Sequence, residues 1–215
     1  MENTVKRVCL YSSSQIGDIL RIARERACQE EHRTKRYVAE MLGITVARLT
    51  NIEAGYSQPP FELATDWCRL VKDHTALAKI KHIYNMGLPA TDPRLLNSVP
   101  DQLNNLIQQA TGAIAAANSL LTLSKNIRPG DQVGSRFGED IIRMAEEVLD
   151  LQQATESTLS SMRQNWNLNM EQVVRNWTQE ALADRVIIQS VTHFETIRKE
   201  EFFAERSRSL GRVEH

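Results

Sequence analysis

The chain has 215 residues and a formal net charge of −1 at pH 7, with three cysteines and no long apolar run. That length holds one large domain or two small ones, and near-neutrality argues against a protein that coats polyanions wholesale. No stretch approaches the ~18 apolar residues of a membrane span. Cys9, Cys28 and Cys68 form no CxxC and have no histidine at ligand spacing, so a reducing, cytoplasmic setting is expected. The charge is uneven: residues 1–85 carry 13 Lys and Arg against 10 Asp and Glu, and residues 86–215 carry 13 against 17. A mildly basic head precedes an acidic body.

Residues 1–13 read as an arm, with Val5, Cys9 and Tyr11 on one alternating face and Lys6 and Arg7 exposed. A frayed terminus or a short strand tied to the body is the first reading, and an arm tracking a phosphate backbone or minor groove is the second. Met1–Leu10 has no apolar core behind Lys6-Arg7, so no secretory signal is expected. Ile16, Ile19, Leu20, Ala23 and Ala27 then form one buried stripe, which predicts a helix from about Ser14 to Ala27. The polar segment Cys28–Arg33 predicts an extra turn on that helix and a surface loop.

Thr34–Pro60 is the most informative stretch. Val38, Ala39 and Leu42 recur at helical spacing, and Gly43 stops the helix because glycine enters the left-handed region without a Cβ penalty. Ile44 plugs the corner, and Thr45 is a good N-cap. Leu49 and Ile52 mark the inner face of a second short helix, Thr45–Ala54, that ends at Gly55. Two helices joined by a short glycine-bearing turn form a helix-turn-helix.

These residues resemble the Cro/CI-type (Xre) helix-turn-helix family of phage and bacterial repressors. The resemblance rests on Val38-Ala39, Leu42-Gly43-Ile44-Thr45, Leu49, Ile52-Glu53, Gly55 and Pro59-Pro60, and extends back to Ile16-Gly17, Leu20 and Arg24. It covers roughly residues 14 to 75, about a third of the chain. The spacing between Arg24 and Thr34 is longer than the family usually shows. The resemblance implies an N-terminal five-helix, lambda-repressor-like DNA-binding domain and a structural ion pair between Arg24 and Glu53. It also implies that the second short helix reads double-stranded DNA in the major groove through Val46, Ala47, Thr50 and Asn51. Asparagine can pair twice with adenine, and small apolar groups suit a thymine methyl, so an A·T-rich site is expected. Phosphate contacts are expected from Thr34, Lys35, Arg36, Thr45, Arg48, Tyr56, Ser57 and Gln58, with amides at a helix start assisting.

Pro59-Pro60 opens a fourth helix with Leu63, Trp67, Leu70 and Val71 inward. A fifth, about Thr75–Asn85, buries Leu77, Ile80 and Ile83 and leaves His74 and His82 on the surface. Residues 87–100, with three prolines and a glycine, read as a linker between a DNA-binding domain, 1–86, and a helical oligomerisation or regulatory domain, 101–205. In that domain residues 101–126 predict one long helix. Its seam is Leu103, Leu106, Ala110, Ala113, Ala117 and Leu120, with Ile107, Ile114 and Leu121 alongside. Residues 125–138 predict a loop. A second helix, about Glu139–Gln164, uses Ile141, Met144, Ala145, Val148, Leu149, Leu151, Leu159 and Met162. A third, about Met170–Glu205, uses Val173, Val174, Trp177, Ala181, Ile187, Ile188, Val191, Phe194 and Ile197. Residues 206–215 predict a flexible tail.

The fold expected is therefore all-α, a small head followed by a bundle of long helices. The function expected is a sequence-specific DNA-binding transcriptional regulator, a phage- or mobile-element-type repressor acting as a homodimer or higher homo-oligomer through residues 101–205. It would be cytoplasmic and nucleoid-associated. The alternative is a protein-interaction module, antitoxin-like or polymerase-binding, with a degenerate helix-turn-helix. No HExxH, GxGxxG, GK[ST] or triad-like grouping points to an enzyme, so no catalytic residue, metal or cofactor is expected.

Overall fold

The computed structural model describes residues 10–128 and 133–210, and all regular structure among them is helical. The helices are α1 (Ile16–Glu25), α2 (Lys35–Met41), α3 (Val46–Glu53), α4 (Phe61–Leu70), α5 (His74–Ile83), α6 (Val99–Ser124), α7 (Val133–Trp166), α8 (Met170–Ala183) and α9 (Val191–Leu210). Single 3-10 turns lie at Ser13–Gln15, Glu31–Arg33 and Pro93–Asn97. The chain divides into two compact units, residues 1–166 and 167–215.

The head core gathers Ile16, Leu20 and Ala23 of α1, Val38 and Ala39 of α2, Leu49 and Ile52 of α3, Trp67 and Cys68 of α4, and Ile80 of α5. Each large aliphatic side chain there contributes about 1.5–3 kcal/mol by leaving water. On α4 the buried residues are Ala64, Thr65, Trp67 and Cys68, whereas Leu63 and Leu70 are only half-buried. Burial, aided by Asp73, pushes the Cys68 thiol up to about 12, which makes it a small hydrophobe rather than a nucleophile.

The segment after α1 departs from the expected extra helical turn. The helix ends at Glu25, and the following residues fold back as a loop that closes on Glu31–Arg33. Two guanidiniums tie that loop down: Arg24 donates to the Arg33 carbonyl, and Arg33 Nε donates to the Ala27 carbonyl at 2.7 Å. His32, in the segment expected to be a surface loop, is consequently buried and stacked on Tyr37 at 5.0 Å between ring centroids.

The two histidines of α5 are also not surface groups; both are half-buried. His82 Nε2 accepts from the Leu10 amide at 3.4 Å, and the Tyr11 ring meets it edge-on at 5.6 Å, which ties residues 10–11 to the head. Val5, Lys6, Arg7 and Cys9 of the expected arm lie outside the described residues. Arg163 of α7 donates to His74 Nδ1 at 2.8 Å. Burial first, and then the Arg163 charge, lowers His74 to about 4. An unfolded chain with an ordinary value of 6.5 takes up the proton earlier. Stability from this contact is therefore full above pH 6.5 and is lost as pH falls towards 4. Denaturant midpoints measured across that window should slope for the natural chain and slope less for His74→Gln.

Residues 87–100 do not behave as a free linker. Leu96 is buried, and its carbonyl accepts from Ser161 Oγ and Asn165 Nδ2, each at 2.8 Å. The Thr91 and Ser157 hydroxyls meet at 2.7 Å, and Gln153 donates to Thr91. A proline-bearing segment leaves carbonyls without helical partners, and Ser161 and Asn165 of α7 supply one to Leu96. The chain's division falls instead at Asn167, which has φ of +51°.

Helices α6 and α7 form an antiparallel hairpin: Thr158 Oγ1 donates to the Gln102 carbonyl at 3.2 Å, while Gly112 abuts Glu147 further along. Ser98 caps α6, and Pro100 follows in its first turn. α7 begins at Val133, through Gly134 and Gly138, and not near residue 139. The buried residues of α6 are Val99, Gln102, Ala113 and Ala116, with Ala154, Ser157, Thr158 and Ser161 on α7. Relative to the expected seam the packed stripe is rotated, leaving Ile107, Ile114 and Leu121 exposed. Val148 and Leu149, expected inward on α7, are also exposed.

In residues 167–210 the expected single helix is two. Arg185, at φ of +59°, stops α8, and the Val186 amide closes back onto the Ala181 carbonyl at 2.8 Å. Val186-Ile187-Ile188 is neither strand nor helix. Ala181 is buried, whereas Val173, Val174, Trp177, Val191 and Phe194 are exposed. α9 continues through residues 206–210 in place of the expected flexible tail, and 211–215 lie outside the described residues.

Candidate nucleic-acid interface

The site is built on α2, a tight turn and α3. Thr34 caps α2: its hydroxyl accepts from the Tyr37 amide at 3.3 Å and donates to the Glu31 carbonyl at 2.8 Å. Both capacities of that hydroxyl are used locally. Gly43, at φ of +64°, turns the chain, and the Ile44 amide closes onto the Ala39 carbonyl at 2.9 Å. Thr45 Oγ1 then accepts from the Arg48 amide at 3.1 Å, which starts α3.

The rotation of α3 about its axis is set by Leu49 and Ile52, both fully buried. With those two inward, Val46, Ala47, Thr50 and Asn51 are all exposed. Gly55, at φ of +77°, ends the helix, and the Asn51 carbonyl accepts from the Tyr56 and Ser57 amides at 2.9 and 3.2 Å. The Asn51 side chain stands outward while its backbone anchors the exit turn. Tyr56 is 86% exposed, and Ser57, Gln58, Arg36 and Arg48 are exposed as well. Among the described residues Arg36 and Arg48 make no ion pair, which leaves two cations beside the outer face of α3.

The base of α3 is held by Glu53, whose side chain is 2% exposed. Its Oε1 accepts from Arg24 Nε at 2.6 Å and its Oε2 from Arg24 Nη2 at 3.2 Å. Lys35 Nζ approaches Oε2 at 3.1 Å. Lys35, expected from the sequence to be a phosphate contact, is thus only partly available: its side chain is 40% exposed and its charge is shared with Glu53. One carboxylate therefore binds α1, α2 and α3 together. This role of Lys35 is not signalled by the motif, because the pairing depends on α2 starting beside the end of α3.

Gly17 is the other contact that composition does not reveal. A Cβ there would lie 2.4 Å from the Ile52 carbonyl oxygen, so α1 crosses the end of α3 at backbone contact. Among the described residues no group of three His, Cys, Asp or Glu is placed to hold a metal ion. No helix among them is long and apolar enough to cross a membrane.

Residues 20–71 match a family model described as Helix-turn-helix. The head is a Cro/CI-type (Xre) helix-turn-helix domain. The matched span contains α2, the turn, α3 and α4, with both Arg24 and Glu53, and the family is one of DNA-binding regulators, typically non-enzymatic. No curated protein and no solved structure matches the chain. In the helix-turn-helix head, Gly17 precedes the matched residues, as does the 3-10 turn that leads into α1.

Proposed function

We propose that this protein is a sequence-specific transcriptional regulator of the phage or mobile-element repressor type, which places α3 in the major groove of double-stranded DNA. The observation that carries this reading is the outward face of α3, where Val46, Ala47, Thr50 and Asn51 stand exposed beside Arg36 and Arg48. Asn51 takes the adenine edge, and Val46, Ala47 and the Thr50 methyl take thymine methyls. Arg36, Arg48, Lys35, Tyr56, Ser57 and Gln58 serve the phosphates, with the first amides of α2 and α3 beside them. The protein works as a homo-oligomer through residues 101–205, because two readers on one duplex face, with half-sites about 34 Å apart, make the second contact intramolecular. It acts where the DNA is, in the nucleoid.

Selection of bound duplexes from a random pool with the full chain should return a two-fold site whose half-sites lie one helical turn apart. Asn51→Ala should then relax preference at one base pair, by about 1–3 kcal/mol. Lys35→Ala should weaken all duplexes alike and flatten the salt dependence by less than one unit, because Glu53 already shares its charge. A pool that emerges unenriched would remove the DNA-reading function, and an unchanged preference with Asn51→Ala would remove the assigned face.

A further inference from the structure

Helix α6 carries a second apolar seam, and its Ile107, Ile114 and Leu121 are exposed. The seam runs Leu103, Ile107, Ala110, Ile114, Ala117 and Leu121, alternating steps of four and three along one flank of the helix. It lies beside the stripe that packs on α7. Ile107 is 65% exposed, Ile114 64% and Leu121 57%.

Two features say what covers it. The first is charge. Asp101 is the one charged residue in the 26 of α6, whereas α7 is studded with Arg136, Glu139, Asp140, Arg143, Glu146 and Glu147. A surface helix carries a charged outer face. A helix without one suits the middle of an assembly, and above all a symmetric one, where like charges would be brought together about the axis. The second is shape. Reversed upon itself about Gly112, the seam sets Leu103 against Leu121, Ile107 against Ala117, and Ala110 against Ile114. Large meets small at four of its six positions, which is how facing layers interdigitate. A parallel pairing would set isoleucine on isoleucine and alanine on alanine.

We propose that two copies of this chain associate through this flank of α6, antiparallel and centred near Gly112, with Ile107 of one copy on Ala117 of the other and Ala110 on Ile114. The inference rests on the homo-oligomer reading above and assigns its surface. The arrangement is a two-fold, self-complementary contact that joins two α6–α7 hairpins into a four-helix core.

The test uses the full chain in sedimentation equilibrium, with far-UV circular dichroism as the folding control. The natural chain should be a dimer. Ile107→Glu with Ile114→Glu should raise the dimer dissociation constant at least 100-fold with helix content unchanged, since both side chains are exposed in the single copy. Should the pair misfold, disulfide trapping decides. With Cys9 and Cys28 replaced by serine, a mixture of Ala110→Cys and Ile114→Cys chains should oxidise to the mixed dimer, and neither alone should cross-link efficiently. A natural chain that sediments as a monomer would end the oligomer reading itself. A dimer that survives both glutamates, or that traps Ala110→Cys to itself, would leave that reading standing and overturn the α6 surface and its antiparallel register.

Discussion

Glu53→Ala should destabilise the head by about 3–5 kcal/mol, the cost of removing one partner from a buried ion pair. The carboxylate receives two hydrogen bonds from Arg24 and one contact from Lys35, and the Arg24 side chain is only 7% exposed. With Glu53 gone, the guanidinium keeps its bond to the Arg33 carbonyl and a 3.4 Å ion pair to Glu25, a half-exposed carboxylate that is shared with Arg21 and so offsets only part of the loss. Small domains hold about 5–15 kcal/mol in all, so the head would be at the margin of folding. Urea titrations followed by circular dichroism check the magnitude. Tryptophan emission alone would not, because Trp67 is buried in the head while Trp166 and Trp177 are more than half exposed. The double change Arg24→Met with Glu53→Leu should recover much of the loss, since an apolar pair of similar volume removes the stranded charge. A loss under about 1 kcal/mol for Glu53→Ala would mean that the pair behaves as an exposed one.

The head is legible in the sequence because its signals are local. Gly43 and Gly55 both take positive φ, and Thr34 and Thr45 both cap helices, so boundaries written in single residues appear where those residues stand. The same locality explains what the sequence hides. His32 lies in a polar run and is buried only because Arg24 and Arg33 satisfy the carbonyls that fold the loop back. The stripe of α6 that packs on α7 differs from the expected seam for a related reason. Apolar and small residues occupy more than one face of that helix, so periodicity alone does not say which face is inward. The choice is made by hydrogen bonds: Gln102 Nε2 donates to the Leu95 carbonyl, and Thr158 and Ser161 donate to the Gln102 and Leu96 carbonyls. The partners of Thr158 and Ser161 lie far apart from them in the chain, and hydropathy carries no trace of any of these bonds. At the reading helix the outward set Val46, Ala47, Thr50 and Asn51 follows from Leu49 and Ile52 being inward. The tie between Lys35 and Glu53 at its base emerges only from the packed structure.

Gly17→Ala should destabilise the head although it places a better helix former in α1. Helix propensity alone favours alanine by about 1 kcal/mol. Against that, the new methyl would meet the Ile52 carbonyl oxygen at 2.4 Å, the Glu53 carbonyl oxygen at 3.1 Å and the Gly55 amide at 3.3 Å. All three are backbone atoms at the end of α3, and none can rotate away as a side-chain tip would. Relief requires α1 and the end of α3 to part, and overpacking of this kind costs about 1–3 kcal/mol, occasionally more. The repulsion exceeds the propensity gain, so a net loss is expected. Gly134→Ala in α7 is the control, because a Cβ there meets nothing within 4 Å and the same propensity term should act unopposed. The functional effect should exceed the stability effect. The displaced end of α3 carries Glu53 and the Asn51 carbonyl that anchors Tyr56 and Ser57, so the reading face would tilt against the groove. Under conditions where the variant is fully folded, affinity for the selected duplex should fall at least tenfold, about 1.4 kcal/mol, while salt-dependent binding to random duplex persists. A Gly17→Ala chain as stable and as selective as the natural one would show that α1 does not press on α3, and the reading helix would need another support.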